Sequence, residues 1–281
     1  MPLARNLYYF FHESGSAAQP PVILLHGMAA DCLSWPPEIR RLPGRNVLAL
    51  DLPGHGKSGG VACQSVEEYA RAVLDWMDGL GIWSAVFVGH SLGAAIALTL
   101  AQQEPQRTAG LVLVSVGSRL TLPETLSELA ASDSTFLIAV KRLHTLLCGP
   151  QTPFSLAQAL LRQLETTRSS LLYSDLVACT TFEAGDDLSL LQSLALVVIG
   201  TEDRVVPLRQ ASWLAASLPE AALQTVDGAS HLLPLEQPGR LARLLSVFLD
   251  TLSPNPVNSH PNPRTEPAKW DGLASAPALD G

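Results

Sequence analysis

Gly89-His90-Ser91-Leu92-Gly93 follows a run of β-formers, Ala85-Val86-Phe87-Val88, and leads into a helical stretch from Leu92 to Gln103. G-x-S-x-G between a strand and a helix is the setting in which a sharp turn lifts a serine off the end of a sheet. Such a turn strains the backbone at the serine, and the glycines at 89 and 93 let neighbouring chain come close. The N–H of Leu92 opens the helix, where no carbonyl of the helix can accept it, so it can donate to a developing oxyanion. Ser91 is therefore the candidate nucleophile, and Leu92 the first candidate oxyanion donor.

Working outward, Val22-Ile23-Leu24-Leu25 is a short continuous apolar run, as in a strand buried on both faces. It ends in His26-Gly27-Met28-Ala29, a loop whose glycine permits close approach and whose Met28 N–H can serve as a second oxyanion donor. Leu7–Phe11, Asn46–Leu50, Gly110–Val114, Leu194–Ile199 and Ala222–Val226 read as further strands. Ser65–Leu80 has a helix signature, with Ser65 as cap and Glu68 three residues later. Trp35–Leu42, Leu208–Leu218 and Gln237–Leu252 read as helices too. Strands alternating with helices predict an α/β fold, a parallel sheet with helices on both faces. Functional groups should gather at the carboxyl ends of its strands, where His26, Asp51, Ser91 and Ser115 fall.

The alternation stops between Arg119 and Asp187. Helical segments fill this stretch, at about Thr121–Ala131, Thr135–Leu147, Ser155–Glu165 and Ser169–Thr181. The expected organisation is an α/β core of residues 1–118 and 187–252, a helical cap at 119–186, and a disordered, proline-rich tail at 253–281. After the strand ending at Ile199, Gly200-Thr201-Glu202-Asp203-Arg204 offers a carboxylate to orient an imidazole. Asp203 stands at the expected position and Glu202 is its rival.

Two glycine patterns compete with this picture. Gly54-x-Gly56-x-x-Gly59 matches a dinucleotide fingerprint literally, but no helix opens there and no acidic residue ends the next strand. Gly56-Lys57-Ser58 resembles the end of a P-loop, whose first glycine would fall on Asp51. No cofactor and no metal is expected. The four cysteines are far apart and read as reduced thiols. With a net charge of −8 and no basic stripe, nucleic acid is not an expected partner. No apolar stretch is long enough for a membrane span, and no signal-peptide core is apparent near Met1, so the expected location is cytoplasmic.

Taken together, His26-Gly27-Met28, Asp51-Leu52-Pro53-Gly54-His55-Gly56-Lys57-Ser58, Gly89-His90-Ser91-Leu92-Gly93, Gly200-Thr201-Glu202-Asp203 and Gly228-Ala229-Ser230-His231 resemble the α/β-hydrolase family, in its single-domain serine esterase form with a helical lid. The resemblance spans nearly all of residues 20–252 and keeps the order Ser, Asp, His. It implies a mostly parallel eight-stranded sheet and a lid made by the insertion. It also implies that Ser91, His231 and Asp203 act as nucleophile, base and orienting acid, with Met28 and Leu92 as the oxyanion hole. His26 and His90 are then scaffold. A serine at 91 sets the chain apart from related dehalogenases and epoxide hydrolases, which carry aspartate there. Trp35-Pro36-Pro37 and His90 depart from the pattern of C–C bond hydrolases of the same fold. The expected activity is hydrolysis of a small to medium, largely uncharged ester by a monomer or homodimer. A triad-retaining ligand sensor, a C–C bond hydrolase and a nicotinamide-dependent oxidoreductase are the competing readings.

Overall fold

The computed structural model describes residues 3–185 and 187–252; the tail expected to be disordered lies outside them. Among the described residues there are eight strands: β1 (Leu3–Ala4), β2 (Leu7–His12), β3 (Val22–Leu25), β4 (Val47–Leu50), β5 (Ala85–His90), β6 (Thr108–Val114), β7 (Ala195–Gly200) and β8 (Ala221–Val226). They form one sheet in the order β1-β2-β4-β3-β5-β6-β7-β8. The pairings β1–β2 and β2–β4 are antiparallel and all the others parallel. β3 and β4 are buried at every position, and β5 at all but its last, which explains their continuous apolar sequences.

Helices cover both faces. α1 (Pro37–Arg40), α2 (Val66–Gly79) and α3 (Leu92–Gln103) precede the insertion. α4 (Thr125–Ala130), α5 (Phe136–Leu147), α6 (Phe154–Thr166) and α7 (Ser169–Thr181) lie between β6 and β7. α8 (Leu208–Ser217), α9 (Leu233–Glu236) and α10 (Pro238–Thr251) are the last helices among the described residues. One core layer joins α2, α3 and the inserted helices to the sheet through Tyr69, Trp76, Ile96 and Leu172. The other packs α1 and α10 against the opposite face through Ile39, Leu241 and Leu245. α3 is buried from Leu92 to Ala101, enclosed by the sheet, α2 and α7, so its sequence is apolar all round rather than amphipathic. α2 is amphipathic. Ser65 caps it by accepting the Glu68 N–H at 3.2 Å, a contribution of about 1 kcal/mol.

Where the elements differ from expectation, proline or shortness is the reason. The helix expected at Trp35–Leu42 is cut to Pro37–Arg40, because Pro36 and Pro37 hold the preceding residues extended. The helix expected from Thr121 begins at Thr125, beyond Pro123. β1 and α9 have two and four residues, too few to show a period.

The β5–α3 turn fixes the centre of the molecule. Ser91 has φ 53° and ψ −117°, a conformation that costs an L-residue about 1–3 kcal/mol. A Cβ on Gly93 would overlap the carbonyls of Leu25 and His26, and one on Gly89 would overlap the backbone of Gly93 and Ala94. Gly93→Ala should therefore push β3 and α3 apart and lower the free energy of unfolding by about 3 kcal/mol, read from urea melts. An unchanged midpoint would mean that this contact is not under pressure.

Candidate active site

Each part of the site sits at the carboxyl end of a strand. Ser91 follows β5, Asp203 follows β7, and His231 follows β8. The structure brings the three together. His231 Nε2 lies 2.8 Å from Ser91 Oγ, and His231 Nδ1 lies 3.1 and 3.0 Å from the two carboxylate oxygens of Asp203. With the carboxylate accepting from Nδ1–H, the neutral ring presents Nε2 as an acceptor to the Ser91 hydroxyl. Asp203, rather than its rival Glu202, faces the ring. Asp203 Oδ1 also accepts the N–H groups of Val205 and Val206, each at 2.9 Å. Burial pushes the Asp203 pKa up, but His231 and these two donors outweigh it and hold the carboxyl below its ordinary value.

The loop carrying His231 is held from below. Ser230 donates its N–H and its hydroxyl to the Glu236 carboxylate of α9, each at 2.6 Å. His90 Nε2 donates to the carbonyl of His231 at 2.7 Å. Burial, with His231 alongside, lowers the His90 pKa to about 3, so the ring is neutral. His90 is thus scaffold, as expected.

His26 has the same character and holds the other candidate oxyanion donor. Leu52 N–H donates to its Nε2 at 3.1 Å, which leaves the proton on Nδ1 to donate to the Gly27 carbonyl at 2.8 Å. Burial, with His55 nearby, lowers the His26 pKa to about 4. The Gly27 carbonyl and the Met28 N–H belong to one trans peptide, so fixing the carbonyl aims the N–H the opposite way. Leu92 N–H, at the first position of α3, is left without a carbonyl inside the helix.

Met28, His90, Ser91 and His231 open into a cleft of about 550 Å³, counting its mouth. Its other walls are apolar, with Leu147, Leu160, Leu164, Leu232, Pro234 and Leu235. Ser34 and Gln163 add polar atoms, and among the described residues no Lys, Arg, Asp or Glu lines it. Leu147, Leu160, Gln163 and Leu164 come from inserted helices α5 and α6.

The Asp51–Ser58 loop is closed on itself. Asp51 accepts the N–H groups of Cys32 at 2.7 Å and Lys57 at 2.8 Å, and Ser58 Oγ donates to the Asp51 carbonyl at 2.6 Å. These bonds make it a scaffold loop. Asp175 is the residue the sequence reading missed. It lies fully buried in α7 among Leu171, Leu172, Leu176 and Cys179, and a lone acid on a buried helix face was the available signal. Its partners Tyr69 and His55 are 106 and 120 residues away, which sequence spacing does not reveal.

Residues 20–238 match the family model described as the alpha/beta hydrolase fold. The chain belongs to this family. An uncharacterized protein of Mycobacterium tuberculosis is 27% identical, the alignment covering 94% of this chain and 81% of that one. A 2-hydroxymuconate semialdehyde hydrolase of Pseudomonas putida is 30% identical over 85% of this chain and 89% of its own. A thermophilic esterase from Thermogutta terrifontis superposes with a TM-score of 0.79 at 22% identity, over 88% of this chain and 93% of that one; at this identity the likeness is one of fold. Among the described residues, no helix is long and apolar enough to cross a membrane.

Two histidines with depressed pKa values make stability fall in acid. On unfolding, His26 and His90 return to an ordinary pKa near 6.5, so below that pH the unfolded chain binds protons that the native chain does not. His55 has a raised pKa and works the other way, gaining stability as pH falls. The two depressed groups outweigh the one raised group. Urea unfolding at pH 5 should show about 3 kcal/mol less stability than at pH 7. Equal or greater stability at pH 5 would contradict this arrangement of protons.

Proposed function

We propose that this protein is a serine hydrolase that cleaves a carboxylic ester of small to medium, largely uncharged acyl character. The observation that carries the proposal is the chain of contacts from Asp203 through His231 to Ser91, with 2.8 Å between Nε2 and Oγ at the floor of an apolar cleft.

As Ser91 Oγ attacks the ester carbonyl, His231 Nε2 takes its proton, and Asp203 stabilises the imidazolium that forms. The N–H groups of Met28 and Leu92 hold the negative oxygen of the tetrahedral intermediate. His231 then returns the proton to the leaving alcohol, and the acyl group stays on Ser91. A water that gives its proton to His231 attacks this acyl-enzyme and releases the acid. The inserted helices act as the lid, supplying the wall that receives the acyl chain.

C–C bond hydrolysis is the second reading, because the Pseudomonas putida relative is named for a semialdehyde that carries a carboxylate. The cleft walls favour the ester. Among the described residues no cationic side chain lines the cavity, so an acid would enter it at a desolvation cost of several kcal/mol without a counter-charge. A ligand sensor with the same three residues is separated from both by the absence of turnover.

The test is hydrolysis of p-nitrophenyl esters from acetate to decanoate, by wild type beside Ser91→Ala. Short chains should be preferred over octanoate and decanoate, and Ser91→Ala should lose kcat by ~10³-fold or more. A folded wild-type protein inert on the whole series would overturn the ester assignment.

A further inference from the structure

Ala29 stands immediately after the candidate oxyanion donor Met28 and has φ 50°, a left-handed conformation that non-glycine residues rarely adopt. Such backbone persists only where its surroundings over-determine it. Here both polar groups of Ala29 are held by the inserted helices. Its N–H donates to Asp175 Oδ2 of α7 at 2.8 Å, and its carbonyl accepts Gln163 Nε2 of α6 at 2.8 Å.

Asp175 is itself held from two further sides. Tyr69 of α2 donates its hydroxyl to Oδ1 at 2.6 Å, and His55 Nε2 lies 2.9 Å from Oδ2. His55 Nδ1 faces the Pro53 carbonyl at 3.0 Å. Both His55 nitrogens therefore meet acceptors, so the ring carries both protons and forms a fully buried ion pair with Asp175. Burial disfavours that charge, but the Asp175 carboxylate outweighs it and raises the His55 pKa. One carboxylate on an inserted helix thus joins α2, the Asp51–Ser58 loop and the oxyanion loop, without touching the cleft.

We infer that Asp175, with Gln163, is a positioning residue for the oxyanion hole. The inserted helices then do more than wall the cleft: they hold Ala29 in its left-handed conformation, and through it the neighbouring Met28 backbone whose N–H faces the reacting oxygen. The inference rests on the serine hydrolase reading. Asp175 touches no reacting atom, and its effect passes through the geometry of the Met28 peptide.

Three variants test it. Asp175→Ala removes every acceptor that Ala29, His55 and Tyr69 share. Asp175→Asn can still turn its amide oxygen toward Ala29 and so should rescue in part. Gln163→Met removes the amide donor from an exposed side chain at the mouth of the cleft, where no core packing is lost. Each is assayed on p-nitrophenyl butyrate and on its thiono counterpart, whose sulfur is a poor acceptor and takes little from an oxyanion hole. Circular dichroism reports the fold.

The expected result is a kcat on the ester lowered about 10- to 100-fold in Asp175→Ala, with KM within about threefold of wild type. The preference for ester over thionoester should shrink, with Asp175→Asn in between and Gln163→Met shifted the same way by a smaller amount. Should Asp175→Ala fail to fold, the other two variants decide on the same readout. Ester and thionoester rates that fall in parallel, or a rise in KM alone, would overturn the inference and leave Asp175 as a structural tie. A wild-type protein inert toward both substrates would instead sink the hydrolase reading, and this inference with it.

Discussion

Ser91 is held where an L-residue pays to be, at φ 53° and ψ −117°, because the chain on either side of it has nowhere else to go. Gly89 lies against the backbone of Gly93 and Ala94, and Gly93 lies against the carbonyls that close β3. These approaches bring the end of β5, the start of α3 and the end of β3 into one small volume. The Ser91 hydroxyl, the Leu92 N–H and the loop bearing Met28 gather there for that reason. The strain of one residue is offset by the burial of two neighbouring strands and of α3, and the site inherits its rigidity from that packing.

Around this turn, the histidines divide their labour according to what each ring nitrogen faces. His231 has a carboxylate on one side and a hydroxyl on the other, the pairing that lets a ring pass a proton. His26 is buried and His90 half-buried; both are neutral and committed to backbone carbonyls, so they position and do not titrate near neutrality. His55 meets two acceptors and is held charged by Asp175. Four histidines lie near one another, and their partners alone separate these roles.

Much of this was legible in the sequence because the signals are local. The strand–turn–helix around Ser91, the apolar runs of β3 to β7 and the cap of α2 each lie within a short window. The triad candidates Asp203 and His231 follow strands whose patterns are plain, and the structure sets them within hydrogen-bond distance of each other and of Ser91. What was not legible is non-local or too short. The pairing of Asp175 with His55 spans 120 residues, and that of Gln163 with Ala29 spans 134. Glu236, which holds the His231 loop, lies in a four-residue helix that has no period to read. The helix expected from Trp35 is shorter in the structure because Pro36 and Pro37 hold the chain before it extended.

The central claim is that Ser91 carries the acyl group between the two halves of the reaction. Intact-protein mass spectrometry after brief mixing with p-nitrophenyl acetate and acid quench tests it directly, with peptide mapping to locate the adduct. The expected result is one acetyl group per chain on the peptide containing Ser91, decaying as free acetate appears. Hydrolysis that proceeds with no adduct, or with the acetyl group on another residue such as Cys148, would contradict it.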